Sequence, residues 1–123
     1  MILLKAVTAY IAVQQLMERE MDYESAHALV VLKGRLKEHA EFFMAEEQKL
    51  AQEYGAKNED GRVTIDEHGR FRMRDEAAGT EYNRKRRELA AVNVEDIEPV
   101  TVHRIDRISP AQIEALEGVV VFA

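Results

Sequence analysis

The sequence predicts an α+β fold in which a long antiparallel helical hairpin is joined to a small antiparallel β-sheet and two shorter helices. Three patterns support this prediction. Apolar residues recur every three or four positions through residues 1 to 54, which is the spacing of one helical face. Between residues 62 and 74, apolar and polar residues alternate, which is the spacing of β-strands. The run Ser109-Pro110-Ala111-Gln112 has the residue types typical of a helix start.

Two helices are predicted in the first part of the chain. The first covers residues 2 to 20, where the apolar positions follow one helical face. The second begins after Asp22, a favourable N-cap, and ends at Tyr54, because Gly55 is a common C-terminal stop. A helix over residues 23 to 54 would be roughly 48 Å long.

The length of this second helix predicts a partner. Helix one can cover only part of its narrow apolar face, so we expect two or more chains to associate as a homo-oligomer. The alternative is that its last turns extend into solvent, supported by charge pairs of Glu46 and Glu47 with Lys49.

The stretch KNEDGRVTIDE, residues 57 to 67, looks like half of a calcium-binding loop. With Gly61 at the sixth position of such a loop, the first position, which requires aspartate, is Ala56. The residues that follow alternate as a strand where a second helix should begin. We therefore predict a turn at Asp60-Gly61 and an antiparallel hairpin of residues 62 to 66 and 70 to 74.

The rest of the chain predicts two shorter helices and short strands. A third helix is expected over residues 75 to 91, strands near residues 92 to 94 and 100 to 102, and a brief helix after Ser109. The apolar tail VVVFA is expected to pack or to pair as an edge strand, in its own chain or with another. We predict a single domain over 1–123, with the helical hairpin in 1–55 and the remaining elements in 56–123.

Composition excludes several classes of protein. The chain has 123 residues and no cysteine, so it has no disulfide, thiolate metal site or thiol nucleophile. The N-terminal segment lacks a basic start and is amphipathic, so we predict neither a signal sequence nor a membrane span. A net charge of −6 argues against general nucleic-acid binding.

No pattern predicts catalysis, a cofactor or a metal site. Glu24 and His27 form one E-x-x-H motif, but a di-metal helical bundle needs two. The other histidines, His39, His68 and His103, have no ligand at metal spacing in their own elements. No serine lies in a nucleophile motif, and no glycine-rich loop follows a strand. We therefore expect a protein that is not an enzyme.

Charge is concentrated in one segment. Residues 70 to 87 contain seven basic and three acidic residues, a local charge of +4 that leaves −10 for the rest. Alternation predicts that the hairpin arginines share one face, opposite the apolar residues, where guanidinium forks suit phosphate or carboxylate oxygens. The candidate ligand-binding residues are Arg70, Arg72, Arg74, Arg84, Arg86, Arg87 and Tyr82.

Three interpretations of this basic segment remain open. The arginines pair with the chain's own acids, bind a small anion, or bind nucleic acid. The acidic remainder of the chain favours a small ligand over a polyanion, because it would repel DNA. Tyr82 and Phe71 could stack on a base, although core packing is the commoner role of both residues.

The order of elements resembles a group of small phage and prophage proteins of unknown function. The resemblance rests on QEYG at the end of the long helix, NEDG in the turn, REL in the third helix, VNVEDIEPVTV, and ISPAQIEALEGVV. The resemblance covers most of the chain, but this sequence departs from the group's pattern in its density of arginine at residues 70 to 74 and 84 to 87. These motifs are structural and transfer no functional residue. The resemblance implies a virus-encoded protein in the bacterial host cytoplasm or in a particle assembled there.

Two functions are consistent with these features. In the first, the protein sequesters a small anionic host ligand, such as a nucleotide immune signal, and thereby counteracts antiviral defence. In the second, it is a virion assembly factor or minor structural protein whose long helix and apolar tail bind another phage protein.

Overall fold

The computed structural model describes all 123 residues and contains four helices and one two-stranded sheet. The elements in chain order are α1 (Leu3–Leu16), α2 (Tyr23–Tyr54), α3 (Glu76–Ala90), β1 (Val100–Val102), α4 (Pro110–Leu116) and β2 (Val120–Phe122). None of the four helices combines the length and the apolar character that crossing a membrane requires.

The chain forms two compact units, and α2 contributes to both of them. The first unit consists of Met1–Glu41 and Asn93–Ala123, and the second of Phe42–Val92. The prediction of one domain over 1–123 stays a prediction.

The core of the first unit combines both helices of the N-terminal half with residues from the chain's end. Helix α1 buries one face that includes Tyr10, Val13 and Leu16, and α2 buries Leu29 and Leu32 in the same cluster. The cluster is completed from β1, α4 and β2 by Val102, Leu116, Val119 and Val120.

The predicted bounds of the second helix are confirmed, and those of the first are too long. Helix α2 begins at Tyr23, where the Asp22 carboxylate accepts a hydrogen bond from Ser25 N, and ends at Tyr54. Helix α1 ends at Leu16, four residues before the predicted end. The residues from 17 to 22 are needed to connect the two helices, and this requirement overrides their helical spacing.

The prediction of an antiparallel sheet is wrong, because the sheet of this protein is parallel. Strand β1 pairs with β2 in the register Val100↔Val120 and Val102↔Phe122. The physical reason is the connection: α4 lies between the two strands and serves as the crossover that parallel strands require. The tail VVVFA is therefore a strand paired within its own chain, with Val119 and Val120 buried.

The predicted hairpin of residues 62 to 74 is reduced to isolated antiparallel bridges. Three short extended segments pair in turn through Gly55↔Met73, Lys57↔Val63 and Ile65↔Phe71. Each of the three segments makes a single bridge to each of the other two, so no continuous ladder of paired residues forms. Val63, Phe71 and Met73 are half-buried as expected, but Ile65 is 56% exposed and does not join them.

The opening turn of this segment is confirmed. Gly61 has a φ of 76°, which glycine adopts without strain. The Asn58 side-chain oxygen accepts hydrogen bonds from the backbone N–H groups of Asp60 and Arg62, at 3.0 Å each. Asn58 therefore closes the turn.

Both shorter helices begin with side-chain caps, and the one at Ser109 is the cap that the sequence predicts. The Asp75 carboxylate accepts a hydrogen bond from Ala78 N at the start of α3. At α4, Ser109 Oγ accepts from Gln112 N at 3.1 Å, and Gln112 Oε1 accepts from Ser109 N at 3.2 Å. This reciprocal pair is a capping box.

Replacing Ser109 with alanine is expected to lower the free energy of unfolding by about 1 kcal/mol, because the first turn of α4 loses its cap. The helix has only seven residues, so the cap satisfies a large share of its free N–H groups. Urea denaturation followed by circular dichroism measures the change. Ser109→Asp keeps an acceptor and should remain near the parent; equal losses in both variants would contradict a capping role.

Candidate functional site

A cleft opens in the second unit between the bridged segment, α3 and the last part of α2. Its volume is approximately 560 Å³. Its walls carry two guanidinium groups, two carboxylates, an amide and several apolar side chains. The lining residues are Glu47, Asp66, Gly69, Arg70, Phe71, Met73, Tyr82, Asn83 and Arg86.

Arg86 is held by two groups on α2. Its Nε donates a hydrogen bond to Glu47 Oε2 at 2.6 Å, and its guanidinium carbon lies 5.3 Å from the centre of the Phe43 ring. Phe43 is buried, and the two charged side chains are partly buried, with Glu47 25% exposed. Carboxylate and ring together fix the plane of the guanidinium. The hydrogen bond to Glu47 uses Nε and not the terminal nitrogens, and the Tyr82 phenol also interacts with this guanidinium.

Arg70 is positioned by the turn that precedes it. Asp66 Oδ1 accepts hydrogen bonds from the backbone N–H groups of His68 and Arg70, at 2.8 and 2.9 Å. The second oxygen of Asp66 lies 3.5 Å from Arg70 Nε. The pKa of Asp66 is lowered from its ordinary value, chiefly by the hydrogen bond from Arg70 N, so this carboxylate is charged at neutral pH.

Tyr82 forms part of the floor of the cleft. The residue is 9% exposed, and burial is the main cause that raises the pKa of its phenol. The charge of Glu47 raises this pKa further, while Arg86 opposes the shift. Tyr82 is therefore neutral at physiological pH, and its ring is packed in the unit. The exposed Asn83 follows it on α3 and places its amide at the same cleft.

The structure brings together three of the seven candidate ligand-binding residues: Arg70, Arg86 and Tyr82. Arg87 borders a neighbouring depression of approximately 370 Å³, which shares Asn83 and Arg86 with the cleft. The remaining three candidates, Arg72, Arg74 and Arg84, line neither space.

These three arginines have partners within the chain. Arg72 Nε donates to Ile65 O at 3.5 Å, and an Arg74 terminal nitrogen donates to Glu53 O at 3.2 Å. Arg84 is bound on α3 by Glu81 and Glu88, each at 2.8 Å, and the bond from Arg84 is the main cause of a lowered pKa at Glu81. Because the Arg84 ion pairs are exposed, they contribute little to stability.

Four arginines therefore form ion pairs with the chain's own acids. Such pairing is one of the three interpretations of the basic segment. The four arginines are Arg70, Arg74, Arg84 and Arg86. Two of these pairs lie inside the cleft, so any anion that binds there meets guanidinium groups already shared with a carboxylate.

Sequence reasoning did not find the carboxylate that orients Arg86. Glu47 is 39 residues from Arg86 and belongs to another helix. The available signal was complementary charge, since the acidic pair Glu46 and Glu47 lies on one predicted helix and the basic run of residues 84 to 87 on another. Asn83 carried no signal, because a single amide on a helix is ordinarily a solvated residue.

A second cluster of titratable groups lies in the first unit, where the start of α2 meets the end of β1. His103 Nδ1 lies 3.0 Å from Asp22 Oδ2, and His103 Nε2 lies 3.8 Å from Glu24 Oε2. The buried Ser25 connects the same elements, because its Oγ accepts a hydrogen bond from His103 N at 2.9 Å. These contacts join the start of α2 to the end of β1.

Acid is expected to weaken this connection. The pKa of Asp22 is lowered from its ordinary 3.8, chiefly by the hydrogen bond from Ser25 N and with a smaller contribution from His103. A carboxylate that is more acidic in the folded state stabilises it above the unfolded pKa, and this stabilisation is lost as the pH falls through the folded pKa. The free energy of unfolding should therefore decline below about pH 3.8.

Asp22→Asn tests this expectation, because asparagine retains the N-cap but carries no charge. Its free energy of unfolding should decline less steeply with acid than that of the parent, as measured by urea denaturation over a series of pH values. An unchanged acid slope would show that Asp22 does not contribute to it.

Comparison with family models, curated proteins and solved structures finds no match to this chain.

Proposed function

We propose that this protein is a non-enzymatic binding protein that sequesters a small anionic, nucleotide-like ligand in the cleft of its second unit. The observation that carries the proposal is that two guanidinium groups, Arg70 and the oriented Arg86, line one cleft of suitable size. Sites for small molecules commonly have volumes of about 300–1,000 Å³ and combine apolar walls with a few placed polar groups. The cleft combines both features.

The chemistry of the lining favours binding over catalysis. Glu47 accepts a hydrogen bond from Arg86 Nε, which orients Arg86, and Asp66 Oδ2 lies 3.5 Å from Arg70 Nε. The terminal nitrogens of each arginine then offer donors in the forked geometry that phosphate oxygens accept. Retention of a ligand without turnover is the outcome that such a lining supports.

The biological setting proposed is a bacterial virus that removes a host signal of antiviral defence. Support comes from the order of elements, which resembles small phage proteins, and from the basic segment of residues 70 to 87 in an otherwise acidic chain. We propose that the protein acts as a homo-oligomer in the host cytoplasm. The exposed apolar side chains of Tyr23 and Val30 on α2 supply a surface on which chains could associate.

Arg86→Gln is expected to weaken binding of nucleoside monophosphates by at least about tenfold, because the oriented fork is lost. Arg84→Gln is the matched control: it removes the same charge from the same helix, but its guanidinium is bound by Glu81 and Glu88 and does not line the cleft. Isothermal titration calorimetry with AMP measures both variants.

Equal weakening in the two variants would show a general charge effect and would refute the cleft as the site. Native mass spectrometry of protein purified from infected cells complements this titration. It reports the number of subunits together with any retained mass in the nucleotide range.

A second candidate function, assembly of the virus particle, is favoured by the exposed face of α2. Tyr23 is 80% exposed and Val30 54% exposed, and the seven-residue spacing places both on one side of the helix. The tail contributes less to this candidate than its sequence indicated, because β2 is paired with β1.

The test of this candidate is co-purification from infected cells. Tyr23→Glu with Val30→Glu should release a bound phage protein, while Val121→Glu, at an exposed strand position, should retain it. Retention by both variants would exclude this face of α2 as the binding surface.

A further inference from the structure

We infer that the cleft selects a phosphate diester with one negative charge and an attached planar base, and that it discriminates against polyphosphates. The inference rests on the proposed function, since it specifies the ligand of the same cleft. It follows from the balance of charges around the cleft, from the apolar part of its lining and from the amide of Asn83.

The charges inside the cleft cancel. Arg70 is adjacent to Asp66, and Arg86 is bonded to Glu47, so two positive groups meet two negative ones. Arg87, at the adjoining depression, forms no salt bridge and adds one positive charge. The combined concavity therefore has a formal surplus of one positive charge.

This surplus matches a diester and not a polyphosphate. A phosphate diester carries one charge on two non-bridging oxygens, which two guanidinium forks can share. A nucleoside triphosphate carries about four charges at neutral pH, and the cleft contains two carboxylates that would repel the additional phosphates. The chain's net charge of −6 adds to this repulsion at longer range.

The remaining lining suits a planar apolar body beside the charge. The half-buried Phe71 and Met73 and the buried Tyr82 all line the cleft. An aromatic ring and a thioether both pack favourably against a flat ring.

The exposed side chain of Asn83 also lines the cleft. Its amide can both donate and accept, which is the pattern that a base edge requires. The lining thus contains groups suited to a charge and groups suited to a base.

Titration with three probes that share one base tests the inference. Cyclic AMP is the diester with one charge, AMP is a monoester with about two, and ATP has about four. We expect cyclic AMP to bind at least about tenfold tighter than ATP, with AMP between them. Stronger binding of ATP than of cyclic AMP would overturn the inference.

Glu47→Gln provides an independent measurement, because it removes one negative charge from the cleft while retaining an oxygen that can accept from Arg86. The ratio of ATP affinity to cyclic AMP affinity should rise in this variant. Glu88→Gln removes the same charge on α3, outside the cleft, and should leave the ratio unchanged. An equal rise in both variants, or no rise in Glu47→Gln, would also overturn the inference.

The two proposals fail in different ways. If ATP binds best and Arg86→Gln weakens all three nucleotides, the cleft binds anions but does not select a diester. If none of the three nucleotides binds, or if Arg86→Gln changes no affinity, both the proposed function and the inferred selectivity are refuted.

Discussion

Replacing Leu32 with alanine is expected to lower the free energy of unfolding by about 3 kcal/mol. Leu32 is fully buried in the core that α1 and α2 share with residues from the end of the chain. Truncation removes apolar contacts and leaves a cavity, and the two terms together cost about 2–5 kcal/mol for a buried leucine.

The control for this substitution lies two residues away on the same helix. Val30 is 54% exposed, so Val30→Ala should change the free energy of unfolding by no more than about 0.5 kcal/mol. Urea denaturation followed by circular dichroism compares the two variants. Similar losses in both would mean that the buried face of α2 is not the one that contains Leu32.

The second large effect is expected at Gly55. The substitution Gly55→Ala should lower the free energy of unfolding by about 2–3 kcal/mol. Gly55 is buried where α2 ends and the bridged segment begins. A Cβ atom at this position would lie 2.4 Å from Ala51 O and 2.6 Å from Val63 Cγ1. The first of these atoms is backbone in the last turn of α2, so relief requires displacement of the chain itself.

Gly34→Ala is the matched control for Gly55→Ala. Gly34 is also in α2, but a Cβ atom there would meet no atom within 4 Å. Alanine has the higher helix propensity, so this variant should be more stable than the parent by up to about 1 kcal/mol. Thermal and urea denaturation should therefore show that Gly55→Ala is less stable than the parent and that Gly34→Ala is more stable. A neutral Gly55→Ala variant would contradict the close packing of Val63 against the end of α2.

The proposed binding function depends on how the ion pairs of the cleft are arranged. Glu47 and Asp66 reduce the positive charge at the cleft, and Glu47 also orients Arg86 through a hydrogen bond to its Nε. An unpaired arginine would bind anions with less geometric selectivity, because its long side chain would have to be ordered by the ligand. The paired arrangement therefore favours selectivity for a ligand of low charge.

Local signals in the sequence determined most of the helix boundaries. Asp22 and Gly55 mark the two ends of α2, and Asp75 and Ser109 mark the starts of α3 and α4. Capping groups act within a few residues of the helix end, so one short stretch of sequence contains all the information needed. The turn at Gly61 was predictable for the same reason.

The candidate site was only partly predictable. The sequence indicated a basic segment, and the cleft contains Arg70, Arg86 and Tyr82 from it. Alternation along the strands predicted that Arg70, Arg72 and Arg74 share one face, but only Arg70 lines the cleft. Single bridges between short segments do not impose the regular alternation of a continuous sheet.

Tertiary structure alone decided the direction of the sheet and the partners of the arginines. The strands β1 and β2 are parallel because α4 connects them, and their own residues do not encode that direction. The contact between Glu47 and Arg86 joins residues 39 positions apart, which become neighbours only when α3 packs against α2. Caps and turns depend on adjacent residues and are therefore readable in the sequence, whereas strand pairing and the binding cleft depend on how distant segments pack.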